Sequence, residues 1–262
     1  MNSLVKQLSL EQKETKMPYI EVVCVAGKTV EIEKYYSYKW DCKGEKRRER
    51  VTPTPEYQKK INLRQAIKKL RRLMNANFTD EDILVTLDFR LGERPENSEQ
   101  IQKVMTLFLQ RLRAQFKKQG SILKYIYVKE LGKRGAAHIH MLMSYCETAI
   151  LKKCWTWGGI NIQPLHTDGQ YGKIAEYFIK YADKTIQTEG KQIGKRWYPS
   201  KNLKQPVIKK RVIRRVNEFR TTIKERKGYY LEKESVYEGV TKDGYGYFFY
   251  SLHRIEEQER AG

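Results

Sequence analysis

Residues 122–130 (ILKYIYVKE), 131–135 (LGKRG) and 136–144 (AAHIHMLMS) read as an apolar run of strand length, a glycine-containing turn and a second such run. That pattern predicts an antiparallel hairpin. Upstream, residues 82–90 (DILVTLDFR) form another run of strand character. Between them, Ile101, Val104, Met105, Phe108, Leu112 and Phe116 recur at helical spacing, with Ser98 as the expected N-cap and Gly120 as the expected stop. Downstream, the pattern predicts a short helix around 147–154, a strand over 159–165 (GINIQPL) and a helix over about 170–184. The order is β-α-β-β-(α)-β-α. Hairpins mixed with helices predict an α+β fold, an antiparallel sheet with helices packed on it.

The flanks extend this reading. Residues 19–40 predict two short strands around Gly27-Lys28, and the polar residues 1–18 are expected to be loose. Residues 41–56 read as a basic, proline-punctuated loop. A helix over 56–75 carries Leu63, Ile67, Leu70 and Met74 as its apolar stripe, with Arg64, Lys68, Lys69, Arg71 and Arg72 mainly off it. Residues 185–205 are loop-like. A basic helix is expected over about 206–226, followed by a tyrosine-rich hairpin turning at Asp243-Gly244. The expected organisation is N-terminal strands and basic loop (1–55), a central domain with its leading basic helix (56–205), and a C-terminal helix and hairpin (206–262).

The 262 residues carry a net charge of +21, with a pI near 9.7. Residues 186–227 hold 14 Lys/Arg against 3 Glu, a local net of +11. About half of the excess therefore lies in about a sixth of the chain, which is the footprint of a nucleic-acid-binding protein. Four cysteines show no CxxC spacing, so zinc ribbons and secreted disulfide frameworks are excluded and reduced thiols in a cytoplasmic protein are expected. No apolar run reaches membrane-spanning length, and no membrane partner is expected. Ala26-Gly27-Lys28-Thr29 contains the GKT of a P-loop, but Val22 stands where the first glycine is needed, so any unwinding falls to a separate helicase. Trp155 and Trp157 fit core packing or base stacking equally as sequence.

The chemistry sits on two spacings. His138 and His140 are two apart on a strand and share a face. Glu130, at the end of the preceding strand, returns beside His138 across the turn. Two imidazoles and a carboxylate make a facial three-ligand set with open positions for a phosphate oxygen and water. Mn²⁺ suits this mixed set better than Mg²⁺, and either fits. Tyr177 and Tyr181 are four apart on a helix and share its face. Lys180 and Lys184, three residues beyond each tyrosine, are expected to favour the phenolate and to counter charge on a pentavalent phosphorane.

HxH on a strand followed by a Tyr/Lys helix resembles the HUH endonucleases. The order, histidines first, looks like their rolling-circle replication initiators. Tyr177-x-x-x-Tyr181 with its lysines is similar to the two-tyrosine initiators of small single-stranded-DNA phages. ILVTLDFR at 83–90 stands at the family's first motif, with Leu87-Asp88-Phe89 in place of its threonine-rich end. GKRW at 194–197, SKNL at 200–203, GKTVEIEKYYS at 27–37 and TPEYQKKINLRQAIKKLRRLMNANF at 54–78 resemble initiators of phages, plasmids and mobile elements, so the likeness covers about residues 20–205. The resemblance implies a ferredoxin/RRM-like nuclease core. It also implies a divalent metal (Mg²⁺ or Mn²⁺) on Glu130, His138 and His140, and single-stranded or hairpin origin DNA as partner. In-line attack by a tyrosine leaves a 5′-phosphotyrosine, and a host polymerase extends the freed 3′-OH. The two tyrosines alternate, or one acts alone, in which case Tyr177 is the first choice with Lys180 as its partner. A transposase or mobilisation nuclease of the same chemistry, and a non-catalytic DNA-binding relative, are the alternatives.

Overall fold

The computed structural model describes residues 19–37, 56–132, 136–167, 169–190, 194–213, 220–240 and 244–255. In chain order its elements are β1 (Tyr19–Ala26), β2 (Thr29–Tyr36), α1 (Glu56–Asn75), β3 (Ile83–Asp88), α2 (Ser98–Lys118), β4 (Tyr125–Leu131), β5 (Ala137–Met143), α3 (Thr148–Cys154), β6 (Ile160–Pro164), α4 (Gly172–Glu189), β7 (Tyr198–Pro199), β8 (Val207–Ile213), β9 (Tyr229–Val240) and β10 (Gly246–Arg254), with a 3₁₀ turn at Leu91–Glu93. They fall into two compact units, Thr54–Gln205, and Met1–Pro53 with Pro206–Gly262. Each unit carries a five-stranded antiparallel sheet, so the fold is α+β as expected.

In the unit Thr54–Gln205 the strand order is β6-β3-β5-β4-β7. The first four strands of that unit thus lie in the order fourth, first, third, second, consistent with a ferredoxin-like core. Strand alternation gives the sheet two apolar faces. On one, Val85, Leu87, Ile139 and Met141 meet Met105, Phe108 and Leu112 of α2, and Leu151 and Trp155 at α3. On the other, Ile126, Val128 and Leu142 meet Leu70 and Met74 of α1, and Phe178 and Ile179 of α4. A sheet covered on both faces explains why β4 is buried along its whole length.

The outer edge of β4 is closed in two ways. Tyr198–Pro199 pairs with Ile126 and Tyr127, and the Tyr198 ring stacks on Tyr127 at 4.9 Å. Further along, Thr185 of α4 takes a strand's place. Its hydroxyl accepts from Leu131 N (2.9 Å) and donates to Lys129 O (2.8 Å). The loop before β6 is held tightly against the end of β3, with Asp88 N donating to Gly159 O and Arg90 N to Trp157 O, both at 2.9 Å. A Cβ on Gly158 would lie 2.0 Å from Asp88 O, so only glycine fits this approach.

Several expectations are corrected. The N-cap of α2 is Asn97, whose side chain accepts from Glu99 N and Gln100 N. Ser98 is unavailable for that role because its hydroxyl and N–H both donate to Glu189. The tyrosine helix runs on to Glu189 and ends on Gly190 at φ 71, since the Thr185 and Glu189 contacts reward the extra turn. The basic helix expected over 206–226 is not formed. Val207–Ile213 (VIKKRVI) is a strand, with four β-branched residues of seven, paired to β1 along its length. Residues 220–226 carry no regular structure. The N- and C-terminal segments, expected as separate pieces, join in one sheet of order β8-β1-β2-β10-β9. The hairpins 19–36 and 229–254 form as read. Residues 1–18, the loop 41–55, the hairpin tip 133–135 and Asp243 lie outside the described residues.

Phe108 is fully buried and packs edge-on to Trp155 at 5.4 Å, whereas its neighbour Leu107 is 49% exposed. Phe108→Ala is expected to cost about 3–5 kcal/mol in chemical denaturation, and Leu107→Ala under about 0.5 kcal/mol. Equal losses would contradict this packing.

Candidate active site

The register of three strands builds the site. His138 has Asp88 of β3 and Glu130 of β4 as its Cα partners, and His140 has Thr86 and Val128. Because side chains two apart share a face, Thr86, Asp88, Glu130, His138 and His140 form one polar patch on the α4 side of the sheet. The patch has a closed end and an open end. His140 and Glu130 are 4% and 5% exposed, while the side chains of His138 and Asp88 are 36% and 44% exposed.

At the closed end, His140 Nε2 lies 2.8 Å from Glu130 Oε2, and the Lys184 ammonium donates to Glu130 Oε1. Burial pushes the Glu130 carboxyl upward. The hydrogen bonds and charges of His140 and Lys184 outweigh it and hold the group below the usual carboxylate range. With Glu130 ionised, Nε2 carries the imidazole proton and Nδ1 is an acceptor. Tyr177 OH and Thr86 Oγ1 each lie 3.2 Å from that Nδ1. The Tyr181 ring sits 4.3 Å from the His140 ring and 4.5 Å from that of Tyr177. At the open end, His138 Nδ1 is 2.6 Å from Asp88 Oδ1. A proton shared there leaves Nε2 with the free lone pair.

The structure therefore brings Glu130, His138, His140, Tyr177, Tyr181 and Lys184 together. Lys180 is apart from them, on the exposed side of α4. The expected lowering of the phenol pKa is not found. Burial pushes the Tyr177 phenol well above its ordinary value, and the Tyr181 hydrogen bond and charge and the Glu130 carboxylate act the same way. Lys184 does not reverse this, because it is engaged by Glu130. Its ammonium lies 5.9 Å from the Tyr181 ring centroid. Tyr177 at rest is a neutral phenol.

Among the described residues, no group of three His, Cys, Asp or Glu side chains is arranged to hold a metal ion. Each candidate ligand already faces a partner, His138 towards Asp88, His140 towards Glu130, and Glu130 towards Lys184. The sequence reading missed Asp88 and Thr86. The signal was the strand alternation Leu84, Thr86, Asp88, which puts both polar residues on the histidine face once β3 is paired with β5.

Residues 82–186 match the family model described as Replication-associated protein ORF2. All seven candidate residues, and Asp88 and Thr86, lie within that stretch. The match supports a replication-initiator type of protein that works on DNA. No curated protein and no solved structure matches the chain. Among the described residues, no helix is long and apolar enough to cross a membrane.

The Glu130–Lys184 contact has a pH signature. The folded pKa of Glu130 lies below its unfolded value of about 4.3, so its contacts stabilise the protein above about pH 4.3 and are lost as pH falls through the lower folded value. Lys184→Met is expected to cost about 1 kcal/mol or less at pH 7, since Lys184 is half exposed, and the difference from wild type should shrink in acid. Denaturation at pH 7 and pH 3 checks this. A gap that widens in acid would refute it.

Proposed function

We propose that this protein is an HUH-type, metal-dependent nuclease that nicks and rejoins single-stranded DNA to initiate rolling-circle replication through a 5′-phosphotyrosine. The observation that carries the reading is the contact of Tyr177 OH with His140 Nδ1, with Glu130 on the opposite nitrogen of the same ring. It joins the tyrosine helix to the histidine strand within a segment that matches a replication-associated family.

The donor set fits a divalent ion. A buried carboxylate and a buried imidazole lie side by side, and His138, opposite Glu130 in register, has Asp88 orienting its ring so that Nε2 is the ligating atom. Glu130, His138 and His140 would hold Mg²⁺ or Mn²⁺, which when bound supplies a Lewis acid for a phosphate oxygen. Tyr177 is the first nucleophile. Its phenolic proton has an acceptor at His140 Nδ1, which offsets the raised pKa. The bond from tyrosyl oxygen to phosphorus forms as the phosphorus–O3′ bond breaks, and the departing 3′-oxygen takes up a proton to leave as 3′-OH. Lys184 keeps Glu130 ionised and sets a positive charge at the edge of Tyr181. Tyr181, whose ring packs on both His140 and Tyr177, is placed to make the second attack that closes the released strand. A host helicase and polymerase supply unwinding and extension.

Incubation with Mn²⁺ and single-stranded oligonucleotides covering the origin should give a covalent adduct on a denaturing gel. EDTA should abolish it, Tyr177→Phe should reduce it about 100-fold or more, and Tyr181→Phe should reduce it less. The double variant should give none. An adduct formed by the double variant would refute the mechanism. No adduct from wild type with any origin oligonucleotide would favour a DNA-binding protein without catalysis.

A further inference from the structure

Beside the open end of the site lies a cleft of about 450 Å³, lined by Arg90, Lys152, Trp155, Thr156, Gly158 and Gly159. We infer that this cleft binds one unstacked nucleotide of single-stranded DNA, its phosphate on Arg90 and Lys152 and its base over Gly158–Gly159 beside the tryptophans. The cleft is within the size range of small-molecule sites, about 300–1,000 Å³, which suits one nucleotide and not a stacked duplex.

Its walls are rigid. Trp155 packs edge-on against Phe89 (5.1 Å) and Phe108 (5.4 Å), and its indole N–H donates to Asp88 O at 3.1 Å. Trp157 lies 5.2 Å from Trp155, and the Arg111 guanidinium sits 5.0 Å over its ring. The Arg90 guanidinium donates to Thr156 O and the Arg111 guanidinium to Thr156 Oγ1, so both cations are fixed to the loop that shapes the cleft. Among the described residues, no acidic side chain lines the cleft. Cations beside an aromatic wall are what a single strand needs, since every phosphate carries charge and every base has a face to stack.

Two glycines floor the cleft for different reasons. Gly158 is dictated by packing. Gly159 is not, because a Cβ there would make only ordinary contacts, 3.7 Å from Asp88 Oδ2 and 3.9 Å from Asp88 Cβ. Its missing side chain leaves open space between the cleft and the carboxylate that holds His138. A nucleotide seated there has its neighbouring phosphate at the open end of the polar patch. That this nucleotide is the one beside the scissile bond rests on the nicking reading. That the cleft takes a nucleotide does not.

The test measures fluorescence anisotropy of a 5′-labelled oligothymidylate with the full chain, in EDTA so that no metal contributes. Gly159→Val should weaken binding about tenfold. Lys152→Glu, an exposed helix position that leaves the fold untouched, should do the same. An oligothymidylate carrying one 5-iodouracil should photo-cross-link within residues 152–160, located by mass spectrometry. Unchanged affinity in Lys152→Glu, or cross-links confined to other segments, would overturn the inference. The adduct assay keeps the two readings apart. Weakened binding with no adduct from wild type leaves the cleft standing and the nicking reading lost. Normal adducts and normal binding in both cleft variants do the reverse.

Discussion

The antiparallel register of β3, β5 and β4 is the constraint on which the rest of the site depends. It sets Asp88, His138 and Glu130 in one row and Thr86 and His140 in the next. A slip of one residue in β5 would turn both histidines to the opposite face, into the apolar layer against α2. Such a slip is strongly opposed, because Ile139 and Met141, fully buried on that face, would move the other way. The apolar core thus fixes the polar site, and the functional residues need supply no stabilisation of their own.

The site holds a buried carboxylate with two cationic or proton-donating neighbours and a neutral phenol. A buried unpaired charge is costly, and Glu130 avoids this through His140 and Lys184. This pairing explains why the tyrosine is not activated at rest. The lysine that adjacency assigns to the phenol is drawn to the carboxylate instead. Activation is therefore coupled to whatever redistributes the Glu130 contacts when substrate and ion arrive.

Much of this was legible in the sequence, and the failures have physical causes. Residues 122–144 alternate strongly and are bounded by glycine, so the hairpin and the Glu130–His138 adjacency follow from period and turn chemistry alone. Helix spacing likewise placed Tyr177 and Tyr181 on one face. Asp88 escaped notice because its role depends on which strand β3 pairs with, a long-range fact that no local pattern contains. The VIKKRVI strand was read as helix because its charge drew attention away from its β-branched residues, and its partner, β1, lies nearly two hundred residues away in sequence. The lysine roles failed for a related reason. Spacing along a helix gives neighbours on that helix and says nothing of a carboxylate on the strand beneath it.

Thr185 carries a consequence of its own. By accepting from Leu131 and donating to Lys129, it docks α4 onto β4 at one fixed residue. Tyr177 lies eight residues upstream, about 12 Å along the helix axis. The helix between them works as a ruler, with Thr185 as its zero and the His140 ring as the mark to be reached. Side chains along that ruler can vary on the solvent side, but its length cannot. One inserted residue between Tyr181 and Thr185 would swing both tyrosines by about 100° and carry them off the histidine face. In this stretch, drift by substitution is open to the protein and drift by insertion or deletion is closed.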